Sequence, residues 1–205
     1  MKVTSSIKQV FDAYADWYVK KYVPTLIEDD PVEGMKELRA NRWDHPLRGL
    51  RALEAAAIAK LEPSAGFLPS AYRELLTTVG AGTLLAASDD EPAPFRILRP
   101  AAVKKARKAA MACFSDEDKA VAAKKKRLDL SKMLPFMADG EDDEDEAFWV
   151  MLTLQTKNDD RVVIVERDHE NGRPVGRKTK SFSEFVARWV ACAKKREPLN
   201  PFDGL

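Results

Sequence analysis

Cysteine is scarce: 205 residues contain two, Cys113 and Cys192. Each falls in a helical apolar pattern, with no second cysteine or histidine at ligand spacing. That excludes a disulfide framework and a cysteine-based zinc site, and it predicts two buried, reduced thiols. Histidine is equally rare. His45 sits in the polar stretch Trp43-Asp44-His45-Pro46 and His169 in a loop after a strand. Both read as surface residues, not as a catalytic base or a metal ligand. The nine glycines form no phosphate-cradling loop, and no Gly-x-Ser-x-Gly nucleophile turn occurs. No apolar run reaches the ~18 residues of a membrane-spanning helix. The opening stretch is broken by Lys8, Gln9, Asp12 and Asp16, unlike a secretory leader. A net charge of +1 gives no global pull towards nucleic acid or an anionic membrane. The expectation is a cytoplasmic protein that is not an enzyme, with no cofactor and no metal. Its partner is expected to be a protein, with no direct contact to nucleic acid or membrane.

What is present is a globular composition, 45% hydrophobic and 33% charged. Ile7, Val10, Phe11, Tyr14 and Tyr18 recur at helical spacing and predict a helix that Pro24 stops. A short helix is expected after Pro31, with Met35 and Leu38 inside. Another is expected from Pro46 to Leu61, burying Leu47, Leu50, Leu53, Ala57, Ile58 and Leu61. Tyr72, Leu75, Leu76 and Val79 predict a helix opening near Pro69 and closing on Gly80. Residues 84–87 and 95–98 read as short strands, and residues 100–127 as mostly helix. Residues 148–154 and 162–165 are rich in β-formers and predict a hairpin across a polar link. Asn171-Gly172 marks a further turn. The last helix opens at Ser181 and Glu184, at capping-box spacing, and buries Phe182, Phe185, Val186, Trp189 and Val190. Helices, then a meander, then a helix predict an α+β fold with an antiparallel sheet.

Two charge runs stand out. Residues 99–127 carry ten basic residues against Asp116, Glu117 and Asp118. Lysines on an alanine-rich helix read first as a solvated face, since no aromatic residue is interleaved to stack bases. Asp139, Glu141, Asp142, Asp143, Glu144, Asp145 and Glu146 place seven carboxylates in eight positions. They repel one another, so an extended loop is expected. That loop is either plain solvated chain or an anionic surface for a cationic partner. Its glycine is misplaced for an EF-hand. The first helix is also aromatic beyond one buried stripe, which offers Trp17 and Tyr18 as a second candidate binding face.

The order of motifs resembles the SUKH superfamily. Glu62-x3-Gly66-x-Leu68-Pro69-x2-Tyr72-x2-Leu75-Leu76-x3-Gly80 is similar to the opening motif of that family. Leu134-Pro135-Phe136 then precedes an acidic loop and Phe148-Trp149-Val150, and Ser181-Phe182-x-Glu184-Phe185 opens the last helix. The resemblance covers roughly residues 55–192. Val79 stands where the family often has a polar residue, the basic segment is long, and the first ~55 residues have no counterpart. The resemblance implies a SUKH-like α+β domain, set at 55–196; the apolar spacing before it predicts a helical extension over 1–54, and Pro198 and Pro201 predict a loose tail over 197–205. It implies a non-catalytic protein: an immunity protein that neutralises a cognate toxin, often a nuclease, or a regulatory scaffold with another protein partner. Tyr72, Leu75, Trp149, Phe182, Phe185 and Trp189 are expected to share one core.

Overall fold

The computed structural model describes residues 6–61, 68–89, 91–112, 114–126, 129, 131, 133–139, 148–153, 161–167, 174–178 and 181–196. Its first element is helix α1 (Ile7–Trp17). Ser6 caps it: the Ser6 hydroxyl accepts from the Gln9 amide while the Gln9 side chain accepts from the Ser6 amide. The helix does not stop at Pro24. It widens into a π-helical turn, Tyr18–Tyr22, and continues as α2 (Val23–Leu26). The Val23 amide reaches back five residues to the Tyr18 carbonyl. The wider turn opens the ladder just before Pro24, which has no amide to contribute and would crowd a tight helix.

Helix α3 (Pro31–Ala40) follows, capped by Asp30 and burying Leu38. The helix expected over 46–61 is not there. Residues Leu47–Arg51 instead form strand β1, and only Ala55–Ala59 are helical (α4). One pairing and one backbone angle explain the change. β1 pairs antiparallel with a later strand, and Gly49 takes φ +60, which an α-helix cannot contain. The leucine spacing satisfied a helical period, but pairing with a neighbouring strand overrode it. A boundary at residue 54 therefore falls between β1 and α4, and both sides of it share one hydrophobic core.

Helix α5 (Ser70–Thr78) leads into strands β2 (Ala81–Ala86) and β3 (Ala93–Ile97). Gly80, between α5 and β2, has φ +99, and a Cβ there would stand 1.9 Å from the Arg51 carbonyl oxygen. Only glycine lets the chain turn there beneath the end of β1. Helices α6 (Pro100–Ala112) and α7 (Asp116–Lys126) come next. Strands β4 (Met133–Asp139), β5 (Phe148–Thr153), β6 (Val162–Arg167) and β7 (Pro174–Lys178) follow, then helix α8 (Phe182–Lys195). The described strands form one antiparallel sheet in chain order, β1 to β7. The fold is α+β, with an antiparallel sheet packed with helices, as the sequence predicts.

Tyr72 of α5, Phe136 of β4, and Phe182 and Phe185 of α8 meet in one aromatic cluster. Trp189 lies one layer along, against Phe11, Tyr14 and Phe95. Five of the six expected core residues are thus buried; the Trp149 side chain and the Asn171-Gly172 turn lie outside the described residues. Cys192 is half-buried on α8 and forms no disulfide, and Cys113 also lies outside them.

Candidate partner-binding surface

Strand register fixes which connections share an end of the sheet. Ala86 pairs with Ala93, Phe95 with Asp139, Ala138 with Trp149, and Arg167 with Pro174. The β2–β3, β4–β5 and β6–β7 connections therefore all leave one end. Asp89 and Glu91 lie in the first of these. Asp139 closes β4, opposite Phe95. Glu141, Asp142, Asp143, Glu144, Asp145 and Glu146 belong to the second connection and lie outside the described residues, as does His169 in the third. His45, exposed, enters β1 at the same end, its Nδ1 accepting from the Leu47 amide.

Three tyrosines of the first helical layer organise this end. The Tyr14 hydroxyl donates to the Leu85 carbonyl (2.8 Å) and accepts from the Ala87 amide (3.2 Å). β1 has ended by then, its side of β2 last met by Pro46, whose carbonyl accepts from the Leu85 amide. A phenol thus supplies the donor and acceptor of an absent strand residue. The Tyr22 hydroxyl does the same for Ser88, donating to its carbonyl (2.9 Å) and accepting from its amide (3.1 Å). Tyr18 donates to the Trp43 carbonyl (3.1 Å). Burial pushes all three phenols above their ordinary titration range.

Of the two aromatic residues singled out for binding, only Trp17 reaches the surface. Tyr18 is fully buried, so its ring presents nothing to a partner. The physical reason is the helical period: Tyr18 continues the buried stripe of Ile7, Phe11 and Tyr14 and packs against Tyr14 and Tyr22. Trp17 is half-buried, stacked against Tyr14 and Tyr22, with the Lys194 ammonium 5.9 Å from its ring centre.

Arg196, which sequence patterns did not single out, ties the layer down. It follows α8 in the left-handed conformation, φ 57. Its guanidinium donates to Thr25 Oγ1 (2.9 Å), lies over the Tyr22 ring and stands 3.9 Å from the Asp89 carboxylate. A left-handed arginine carries no sequence signal; asparagine or glycine at such a site would have.

Among the described residues, no group of three or more His, Cys, Asp and Glu side chains is placed to hold a metal ion, and no helix is long and apolar enough to cross a membrane. A cleft of about 240 Å3 opens where β2 and β3 meet the start of α6, lined by residues that include Thr83, Arg96 and Arg99. Comparison with protein-family models, with curated proteins and with solved structures returned no match.

Proposed function

We propose that the chain is a SUKH-type immunity protein that binds and neutralises a cognate protein toxin, one acting on nucleic acid, in the cytoplasm. One observation carries the reading. The three sequence motifs that resemble the family are far apart in the chain, yet their aromatic residues meet. Tyr72 from the first touches Phe136 from the second and Phe182 from the third, and Phe136 touches both Phe182 and Phe185, with the touching ring centres 5.2 to 5.8 Å apart. Residues that specify one core together are what a shared fold demands, whereas chance motifs have no reason to converge.

The partner-facing element is the acidic connection between β4 and β5. A nuclease cleft must attract phosphate and so carries positive potential. Seven carboxylates at residues 139–146 match that potential, steer encounter and compete with substrate. The test is co-expression with a toxin encoded beside this chain. Growth restored by this chain, together with a stable purified complex, is the expected result. Continued toxicity at equal expression, with no complex on size exclusion, would overturn the reading in favour of a regulatory scaffold.

A further inference from the structure

From Arg96 to Ala112 the chain carries six cations, Arg96, Arg99, Lys104, Lys105, Arg107 and Lys108, and no carboxylate. The structure sorts them. Val103 and Ala106 bury one side of α6, and α6 packs on β4. Lys104, Lys105 and Lys108 are exposed, at spacings that put them on the opposite side. Arg107 turns away from that row and donates to the Ser131 carbonyl. Arg99 is exposed just before α6, at the rim of the cleft that also holds Thr83 and Arg96. Among the described residues that line the cleft, none is a carboxylate. The result is a row of exposed cations running from a cleft along one helix face.

We infer that this row binds the phosphodiester backbone of a nucleic-acid duplex without reading its sequence. The near-zero net charge conceals it, because the balancing carboxylates are concentrated elsewhere, above all in residues 139–146. Arg99 to Lys108 spans about 13 Å at ~1.5 Å per residue. A duplex presents one phosphate per ~3.4 Å of axis on each strand, so about four phosphates fall within that reach. The face carries no aromatic residue, which removes the stacking that single strands need and leaves backbone contact alone. The inference is independent of toxin neutralisation, since it concerns a different surface and a different ligand, and it replaces the sequence expectation of no direct contact to nucleic acid.

The experiment is fluorescence anisotropy of the full chain with a labelled duplex, a labelled single strand of the same sequence and a labelled polyglutamate, across salt. Three to four phosphate contacts predict a log–log salt slope of about −3, or roughly 60-fold weaker binding from about 50 to 200 mM salt. The triple variant Arg99→Gln, Lys104→Gln, Lys108→Gln should bring the slope near −1 with an unchanged unfolding midpoint, since all three side chains are exposed. The control Lys20→Gln, Lys21→Gln, Lys36→Gln should keep the wild-type slope. Absence of duplex binding at low salt overturns the inference. So does an unchanged slope in the triple variant, an equal loss in the control, or equal affinity for the single strand or polyglutamate.

Discussion

Trp17 stacks on Tyr22, five residues further along the same helical run, with ring planes 9° apart and centres 6.3 Å apart. A regular α-helix brings residues three and four apart together, not five. The π-helical turn creates this pair, and the pair connects the half-exposed Trp17 to the buried anchor of the β2–β3 turn.

Arg196 covers the far side of that anchor. Replacing it with alanine should cost about 1–2 kcal/mol through the lost Thr25 hydrogen bond and Tyr22 contact. Arg196→Gly should cost about 1 kcal/mol less than alanine, because glycine adopts φ 57 without steric penalty. Urea unfolding of both variants checks this. Equal losses would mean that the left-handed conformation carries no strain.

The Tyr72 hydroxyl is fully buried and has no hydrogen-bond partner among the described residues. Tyr72→Phe should therefore be neutral or stabilising by up to about 1 kcal/mol. Tyr14→Phe is the contrast: it strips partners from the Leu85 carbonyl and the Ala87 amide and should cost about 1–3 kcal/mol. Thermal or urea midpoints should move in opposite directions, or Tyr72 should not move at all. A marked loss at Tyr72 would show a bonded hydroxyl.

Trp189 has 1% of its surface exposed and touches Phe11, Tyr14 and Phe95. Trp189→Ala should cost ~3–5 kcal/mol by leaving a cavity. A loss below ~1 kcal/mol in urea unfolding would contradict its place between the two helical layers and the sheet.

All four tyrosines of the chain are buried, and burial raises each phenol above its ordinary value. The folded state therefore holds phenolic protons that the unfolded chain releases near pH ~10. Above that pH the unfolded state binds fewer protons, so stability falls as pH rises; below it this contribution is complete and constant. Phenolate absorbance should appear together with loss of circular dichroism, in one transition. Phenolate formation at pH ~10 in a still-folded protein would refute the burial of these rings.

Neutralising Asp142, Asp143, Glu144 and Asp145 to Asn or Gln should slow association with the cognate partner, most clearly at low salt. Folding stability should barely change, since mutual repulsion is removed. Surface-plasmon kinetics at two salt concentrations are the measurement. Wild-type on- and off-rates at low salt would leave the connection a solvated loop and shift attention to Trp17.

Elements with an unambiguous period were legible in the sequence. Helices α5 and α8 stood out because each pairs an apolar stripe with an end signal, Gly80 or Ser181. The β5–β6 hairpin stood out through its run of β-formers. Residues 46–61 were misread because leucines three and four apart fit a helix as well as a strand beside a bulge. Pro24 misled for a related reason: proline ends a regular helix, but a π-helical turn ahead of it accommodates the ring. Long-range pairing decides both cases, and a local pattern does not contain it. The candidate surface was legible as charge and aromatic surplus. The burial of Tyr18 was legible too, since it continues the stripe of Ile7, Phe11 and Tyr14; the stacking of Trp17 on Tyr22 was not, because it needs the π-helical turn.

Each described strand hydrogen-bonds to the one before it, so the sheet can assemble from successive hairpins, although helices α6 and α7 intervene between β3 and β4. The contact between α1 and α8 is different, because it joins the first and last described helices. Closing so large a loop is entropically the most demanding step, and it gains little until the sheet exists. The Phe11–Trp189 pair is then expected to form on the native side of the folding barrier. Removing it should speed unfolding more than it slows folding, which stopped-flow rates of Phe11→Ala would check.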